Sequence, residues 1–232
     1  GAPGAFGPVK DPATLPDEPA KIVAAGGAAD IPILIGSNRD EVKLFVAAMP
    51  RQQPDEAGLV TTIRAALPKA DEGQVSALID TYRASRRAKG LPDSDLDVLD
   101  AVQSDLRFRI PSIRLAAAQR ERQPDTYLYL FTHTSPARRG ALGACHALEM
   151  PFVFGTTGAP TQDRFCGTGP DVERLSREMH DAWAAFARTG NPGAHWPAFD
   201  GETRQTMVFD TARSGPQRDP FGEERAALEA LL

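Results

Sequence analysis

The chain has 232 residues, of which 41% are hydrophobic and 25% charged, and its formal net charge is −5. This length and composition are typical of one large globular domain that buries a sizeable core. The acidic balance disfavours nucleic acid, and no stretch approaches the run of about 18 apolar residues that a membrane span requires. We therefore expect neither nucleic acid nor a membrane as a partner.

The compartment and the cofactors are indicated only by what the sequence lacks. The first ten residues, GAPGAFGPVK, do not resemble a signal peptide, which favours a cytoplasmic over a secreted protein. Two cysteines, Cys145 and Cys166, are too few for a disulfide framework, so we expect reduced thiols, with a single bridge as the alternative. No cluster has metal-ligand spacing, and the sequence predicts neither metal nor cofactor.

The first regular elements are predicted between residues 19 and 49. PAKIVAAG suggests a short helix after an irregular lead-in, and IPILIG at 31–36 reads as a strand buried on both faces. Ser37 and Asn38 are capping types, and the apolar residues that follow predict a helix.

The middle of the chain, from about 54 to 123, is predicted to be helical, because acids come first and apolar residues recur at three- and four-residue spacing. Pro111 is expected to break or kink this region.

The last third alternates between strands and helices. The aromatic run at 125–134 and the segment 204–210 predict strands. The apolar stripe of 171–189, which includes Trp183 and Phe186, predicts a core-facing helix, and a short amphipathic helix closes the chain. The order predicts an α/β fold, yet three strands are few for so many helices. The first strand therefore needs sheet neighbours that this chain hardly supplies.

Two loops carry the candidate chemistry. Asp40 and Glu41 follow the first predicted strand, and His146 follows the second, where α/β sheets place functional groups. A carboxylate can hold an imidazole in one tautomer and stabilise its protonated form. The order acid, then histidine, is that of α/β-hydrolases, in which a serine comes earlier.

The sequences around these residues resemble a known family. GSNRDE at 36–41 with Phe45, and GACHALEMPFVFG at 143–155, resemble the acid and histidine motifs of the type-B carboxylesterase and cholinesterase family, with the para-nitrobenzyl-esterase branch nearest. Further similar segments occur in family order at 6–16, 104–116 and 183–200. Two positions depart from the pattern: Val42 and Ala147 stand where the family commonly has glycine.

The resemblance implies the C-terminal part of an α/β-hydrolase domain that spans 1–232, with mostly parallel strands and a helical wall or cap at about 54–123. It implies a Ser–His–Glu triad in which His146 is the general base and Glu41 orients it, Asp40 being the rival acid. It assigns supporting roles to Glu149, which should pair with a buried donor or arginine, and to Asp105.

The nucleophile of such a triad is not found in this sequence. The chain has nine serines, and none lies in the G-x-S-x-G elbow that the family places upstream. We therefore expect a fragment of a longer esterase for small-molecule esters, inactive alone. Its expected partner is the missing N-terminal half or a second copy of itself.

Other interpretations of these residues remain open at this point. The chain could be a non-catalytic, esterase-like interaction module, since the family includes adhesion proteins with a broken triad. Cys145 could replace the serine, although a thiol there is more often inert packing. His146 could be a core histidine bonded to a carbonyl group, and Glu41 a helix-terminal acid. The remaining histidines, His133, His180 and His195, are expected to serve packing or the surface.

Overall fold

The computed structural model describes residues 9–232, so part of the lead-in motif at 6–16 lies outside the described residues. The short helix expected near PAKIVAAG is present as α1, Pro19–Ala24, with proline in its first turn. Proline suits that position because its missing N–H would have no partner there.

A four-stranded sheet forms the centre of the molecule, with strand order β1-β2-β3-β4. The first three strands are parallel, with Ile33 opposite Thr126 and Tyr129 opposite Met207, and the fourth is antiparallel to the third. The α/β class with mostly parallel strands is thereby confirmed. The strands are β1, Ile33–Asn38; β2, Thr126–Phe131; β3, Gln205–Phe209; and β4, Gly215–Arg218.

The structure corrects the predicted boundary between the first strand and the first long loop. β1 continues through Ser37 and Asn38, which were expected to cap a helix, because its parallel ladder extends to Asn38 opposite Phe131. The following helix, α2, is the short segment Val42–Val46, and Glu41 occupies its N-cap position without a capping hydrogen bond from its side chain.

The fourth strand was not predicted. The sequence of β4 is GPQR, which has no apolar alternation, and its side chains are mostly exposed. It pairs through the backbone in a hairpin with β3. Such an edge strand tolerates proline because one side of it faces solvent.

The first strand is less buried than predicted. Ile33–Gly36 are only partly covered, although IPILIG reads as a strand buried on both faces, and Ile31 is 61% exposed. The reason is its place at one edge of the sheet, with β2 as its neighbour among the described residues. The expectation that this chain does not supply all of its sheet neighbours agrees with that position.

The helical region predicted at 54–123 is present and has its own core. It consists of α3, α4, α5, a wide π-helical turn and α6, packed around fully buried side chains such as Leu59 and Tyr82. Of the predicted break or kink at Pro111, the break is not observed, because Pro111 lies in the first turn of α6 directly after the wide turn. The bounds are α3, Glu56–Ala66; α4, Glu72–Ala88; α5, Asp95–Ser104; the wide turn, Asp105–Arg109; and α6, Ile110–Arg120.

The sheet is covered on both faces. On one face α6 packs on β1 and β2, and on the other a second core contains Tyr127, Phe131 and the stripe of α9, including the half-buried Trp183 and Phe186. No described helix is long and apolar enough to cross a membrane. The remaining helices are α7, Met150–Val153; α8, Asp163–Cys166; α9, Pro170–Thr189; and α10, Gly222–Glu229, which packs on α4.

Candidate active site

The acid loop and the histidine loop meet beyond the carboxyl ends of β1 and β2. Glu41 lies three residues after the end of β1, and His146 lies in the long connection that follows β2. Because these neighbouring strands are parallel, their carboxyl ends lie at the same edge of the sheet. Two residues separated by 105 positions are thereby brought into contact.

Glu41 and His146 form a short hydrogen bond. Oε2 of Glu41 lies 2.6 Å from Nδ1 of His146, and Oε1 accepts the Asn38 backbone N–H at 2.8 Å. The glutamate side chain is 6% exposed and the histidine side chain 41% exposed. Among residues 9–232, Nε2 of His146 has no hydrogen-bond partner. The carboxylate therefore favours the tautomer with the proton on Nδ1, which leaves the Nε2 lone pair accessible.

The burial of Glu41 raises the pKa of its carboxyl group, although the Asn38 N–H and His146 act in the opposite direction. A buried carboxylate is costly when it carries an uncompensated charge. A positive charge that develops on the adjacent imidazole reduces that cost. The arrangement is thus suited to stabilising an imidazolium during proton transfer.

The rival acid, Asp40, does not contact His146 and instead joins the two loops. Its Oδ2 accepts the Ala144 N–H at 2.9 Å and Arg39 Nε at 2.9 Å. Its own N–H donates to the Ala144 carbonyl at 2.9 Å. Burial acts to raise the pKa of Asp40, but the charges of Arg39 and Lys43 and the Ala144 N–H outweigh it, so that the pKa is lowered. Asp40 is therefore a structural anion beneath the pair.

The backbone on either side of His146 takes left-handed conformations. Gly143 has φ of +58°, and a Cβ atom there would lie 2.7 Å from Cγ of Asp40. Glycine is required because any side chain would push the acid loop away. Ala147, where the family commonly has glycine, has φ of +63°. This departure from the family pattern places a Cβ atom in a conformation that favours glycine.

Glu149 accepts a hydrogen bond from the side chain of Asn38. The same Asn38 amide donates to the Cys145 carbonyl at 2.7 Å, so it fixes the backbone directly before His146. The donor to Glu149 is thus an asparagine, and not the arginine considered as an alternative. Asn38 was missed as a site residue because it looked like a helix cap.

Cys145 is fully buried, and burial raises the pKa of its thiol to about 12. A thiol with such a pKa remains protonated at neutral pH and is a poor nucleophile. Cys166 is buried and free as well, so the alternative of a single bridge is not observed.

Asp105 lies away from the histidine, in the wide turn of the helical region. It accepts hydrogen bonds from Tyr82 Oη at 2.6 Å and from Arg109 Nε at 2.6 Å. The turn also carries Phe108, whose ring contacts His146. Phe108 was not singled out from the sequence, although it is the aromatic residue of the 104–116 motif.

The other histidines lie outside this site. His133 is buried between Thr211 Oγ1 and the Cys166 carbonyl, and His180 contacts the Val153 carbonyl. His195 is exposed. Among the described residues, no group of three or more His, Cys, Asp or Glu side chains could hold a metal ion.

Comparison with known proteins shows the family of the chain. Residues 3–226 match the model of the carboxylesterase family. The chain belongs to the carboxylesterase family. Its architecture is accordingly that of part of an α/β-hydrolase fold, and the family membership indicated by the acid and histidine motifs is confirmed.

Several relatives show how much of the family's length is present. The chain is 35% identical to para-nitrobenzyl esterase of Bacillus subtilis over 96% of its own length and 43% of that protein. It is 32% identical to phenmedipham hydrolase of Pseudarthrobacter oxydans, covering 99% of this chain and 45% of the relative. A crystal structure of a Geobacillus stearothermophilus carboxylesterase superposes with a TM-score of 0.76 at 32% identity, over 96% of this chain and 45% of that one. The chain thus spans less than half the length of these relatives.

Proposed function

We propose that this carboxylesterase-family chain supplies the histidine and the acid of a Ser–His–Glu triad that hydrolyses small-molecule carboxylic esters. The observation that carries the proposal is the 2.6 Å contact between Glu41 Oε2 and His146 Nδ1, with Nε2 left accessible. The names of the relatives, para-nitrobenzyl esterase and phenmedipham hydrolase, support hydrolysis as the reaction.

The proposal assigns the nucleophilic serine to a segment upstream of Gly1. Among residues 9–232, no serine hydroxyl is hydrogen-bonded to His146. Ser37 lies in β1 and is buried. The Ser104 hydroxyl donates to the Asp100 carbonyl at 2.7 Å and accepts a hydrogen bond from the Val42 N–H at 3.1 Å. The Ser104 hydroxyl therefore has structural partners, and neither serine lies in a nucleophile elbow.

In the proposed mechanism the serine oxygen attacks the ester carbonyl carbon while Nε2 of His146 accepts the hydroxyl proton. Glu41 accepts a hydrogen bond from the Nδ1–H and thereby stabilises the imidazolium. His146 then gives the proton to the leaving alcohol, which departs from the tetrahedral intermediate and leaves an acyl-enzyme. Water then attacks the acyl carbon while His146 accepts a proton from it. His146 returns the proton to the serine oxygen, and the carboxylic acid product is released. Backbone amides of the upstream segment would hold the oxyanion.

We assign the wall of the ester pocket to the helical region at 54–123 and to α2. Phe45 of α2 is 47% exposed beside the imidazole. An apolar ring beside the reacting atoms favours substrates with an apolar acyl or alcohol group.

The proposed partner is the upstream half, which would pair with the edge of β1. The N–H of Ile33 donates to Asp125 and that of Arg39 to Phe131, both on the β2 side. Alternation along the strand directs the N–H groups of Leu34 and Gly36 to the other side. A strand edge of this kind recruits either that half or another copy of the chain.

A non-catalytic interaction module is the second candidate that the sequence suggested. The Glu41–His146 contact favours catalysis over it, because a binding surface does not need a buried glutamate aligned on Nδ1 of an accessible histidine. No described feature specifically favours the module.

The experiment is para-nitrophenyl ester hydrolysis by this chain alone and by the chain with its upstream segment, joined or mixed. We expect activity only in the second sample, and its loss in His146→Ala but not in the matched control His195→Ala, an exposed histidine. Removing the general base should lower kcat by roughly two to four orders of magnitude. Robust hydrolysis by the 232 residues alone, unchanged in His146→Ala, would overturn the assignment.

A further inference from the structure

A wide turn interrupts the long helix that lines the histidine. Between α5 and α6, residues Asp105–Arg109 form a π-helical turn, closed by a hydrogen bond from the Ile110 N–H to the Asp105 carbonyl. Such single turns insert an extra residue into a helix and are frequent at functional sites. Each residue of an α-helix rotates the chain by about 100°, so without the insertion the faces of α5 and α6 would be offset by that angle.

The turn places one aromatic ring on the imidazole. The ring centroids of Phe108 and His146 are 5.5 Å apart, with an interplanar angle of 47°. Phe45, which is four residues after Glu41, lies 4.8 Å from the same imidazole. The two phenyl rings are nearly parallel to each other, at 6.3 Å and 8°. The three rings thus form a triangle, in which the imidazole contacts one phenyl ring from α2 and one from the wide turn.

Buried charges hold the turn at both of its ends. Asp105, the first residue, accepts hydrogen bonds from Tyr82 Oη and from the guanidinium of Arg109, the last residue. Arg109 Nη1 also donates to the Pro220 carbonyl at 3.1 Å. Asp105 and Arg109 are 4% and 6% exposed. A pair this well buried and hydrogen-bonded is rigid, because separating it would leave charges unpaired in the interior.

We propose that Phe108 is a positioning residue for His146. The Asp105–Arg109 pair fixes the wide turn and thereby the position of the Phe108 ring. Glu41 holds the imidazole at one atom only, which leaves rotation about that hydrogen bond open. Contact with Phe45 and Phe108 restricts this rotation and keeps Nε2 directed to the serine. The inference rests on the proposed function, since a histidine that transfers no proton would need no such restraint.

The test compares Phe108→Ala, Phe108→Tyr and Arg107→Ala in the chain combined with its upstream segment. Phe108→Ala should lower kcat by about tenfold with KM changed by less than about twofold, because the imidazole is misaligned rather than the substrate unbound. Phe108→Tyr keeps the ring and should restore most of the rate. Arg107 is exposed in the same turn and serves as the matched control.

A second readout is the low-field proton NMR signal of His146 Nδ1–H, which should broaden in Phe108→Ala and stay sharp in the control. Tyr82→Phe removes one hydrogen bond to Asp105 without changing the core volume, and should produce the same effects more weakly, even if Phe108→Ala fails to fold.

Two results would overturn the positioning role. One is a raised KM with unchanged kcat and a sharp Nδ1–H signal, which would make Phe108 a wall of the substrate pocket. The other is no effect at all in a preparation whose activity His146→Ala abolishes. That outcome is distinct from failure of the proposed function, in which His146→Ala itself would have no effect.

Discussion

At the scale of single residues, the two neighbouring acids of the GSNRDE motif have separate tasks. Glu41 contacts the imidazole, and burial raises the pKa of its carboxyl group. Asp40 binds the backbone of the histidine loop and Arg39, and its pKa is lowered. Adjacent residues of the same charge thus differ because one faces a titratable ring and the other faces fixed donors.

This difference predicts opposite effects of two conservative substitutions. Glu41→Gln can donate to Nδ1 and favour the wrong tautomer, so kcat should fall by roughly three to four orders of magnitude, by analogy with the aspartate of serine proteases. Stability at neutral pH should be retained, since the raised pKa means that ionised Glu41 costs stability as pH rises through that pKa. Kinetics of ester hydrolysis and urea unfolding of the same samples measure both quantities.

Asp40→Asn should instead destabilise the fold by about 3 kcal/mol at neutral pH, because it leaves Arg39 and Arg86 without their buried anion. The lowered pKa means that the contribution of Asp40 is present above the pKa of an unfolded aspartate and is lost as pH falls through the folded value. The difference from the parent should therefore shrink in strong acid. A pure loss of kcat with full stability would contradict the structural role.

Ala147 offers a stabilising substitution. Its φ of +63° is costly for an L-residue, and glycine takes this conformation freely. We expect Ala147→Gly to raise the free energy of unfolding by about 1 kcal/mol. Ala141→Gly is the matched control, since Ala141 has φ of −63° and should lose stability on the same substitution. Equal effects at both positions in urea unfolding would refute the argument.

At the scale of elements, α10 packs on α4 and brings a buried acid to the helical region. Glu224 is 3% exposed, and its Oε2 lies 3.9 Å from Arg109 Nη2, at the anchor of the wide turn. Burial and the charge of Asp105 raise the pKa of Glu224 to about 7, although Arg109 acts against them. We therefore expect the contact between α10 and the turn to depend on pH near neutrality.

The sign of the pH effect follows from that direction. The folded pKa lies above the unfolded value, so the stability associated with Glu224 is intact below about pH 4.5 and is lost as pH rises through about 7. Glu224→Gln should therefore be more stable than the parent at pH 8, by an amount on the order of 3 kcal/mol, and equal to it near pH 4.5. Urea unfolding across this range measures the difference in the free energy of unfolding, and Glu223→Gln, at an exposed neighbour, is the control. A difference between Glu224→Gln and the parent that does not change with pH would contradict the prediction.

At the scale of the whole molecule, the sheet is asymmetric. β4 ends it on one side with exposed polar residues, whereas β1 ends it with partly covered apolar residues. The relatives are more than twice as long as the aligned part. Under the proposed function, the side of β1 that has no neighbour among residues 9–232 is where a partner would complete the sheet.

We expect the chain alone to self-associate through β1. Leu34→Pro removes one N–H from the open edge and leaves the β1–β2 ladder intact, so it should shift the population toward the 24.9 kDa monomer. Leu34→Ala is the matched control, because it loses the side chain and keeps the N–H. Analytical ultracentrifugation distinguishes them, and a parent chain that sediments as a stable monomer would contradict the expectation.

The sequence by itself determined the helices and strands whose apolar residues recur at short, regular spacing. The spacing of apolar residues indicated the helical region at 54–123 and the long helix α9, and the aromatic alternation indicated β2. The acid and histidine motifs indicated the family. These predictions succeeded because helical and strand periodicities depend on neighbours a few residues away. Boundaries and β4 were missed because pairing in register, which no local pattern contains, extended β1 and created the hairpin.

Only the tertiary structure decided which acid faces the imidazole, why Gly143 has no side chain and how Phe108 reaches His146. Each of these depends on the parallel pairing of β1 with β2 and on the wide turn, which bring together residues far apart in the chain. Contacts of that kind are fixed by packing and by the hydrogen bonds of buried groups. A linear pattern names the residues, and the distances between them arise only when the sheet and the helices have closed around them.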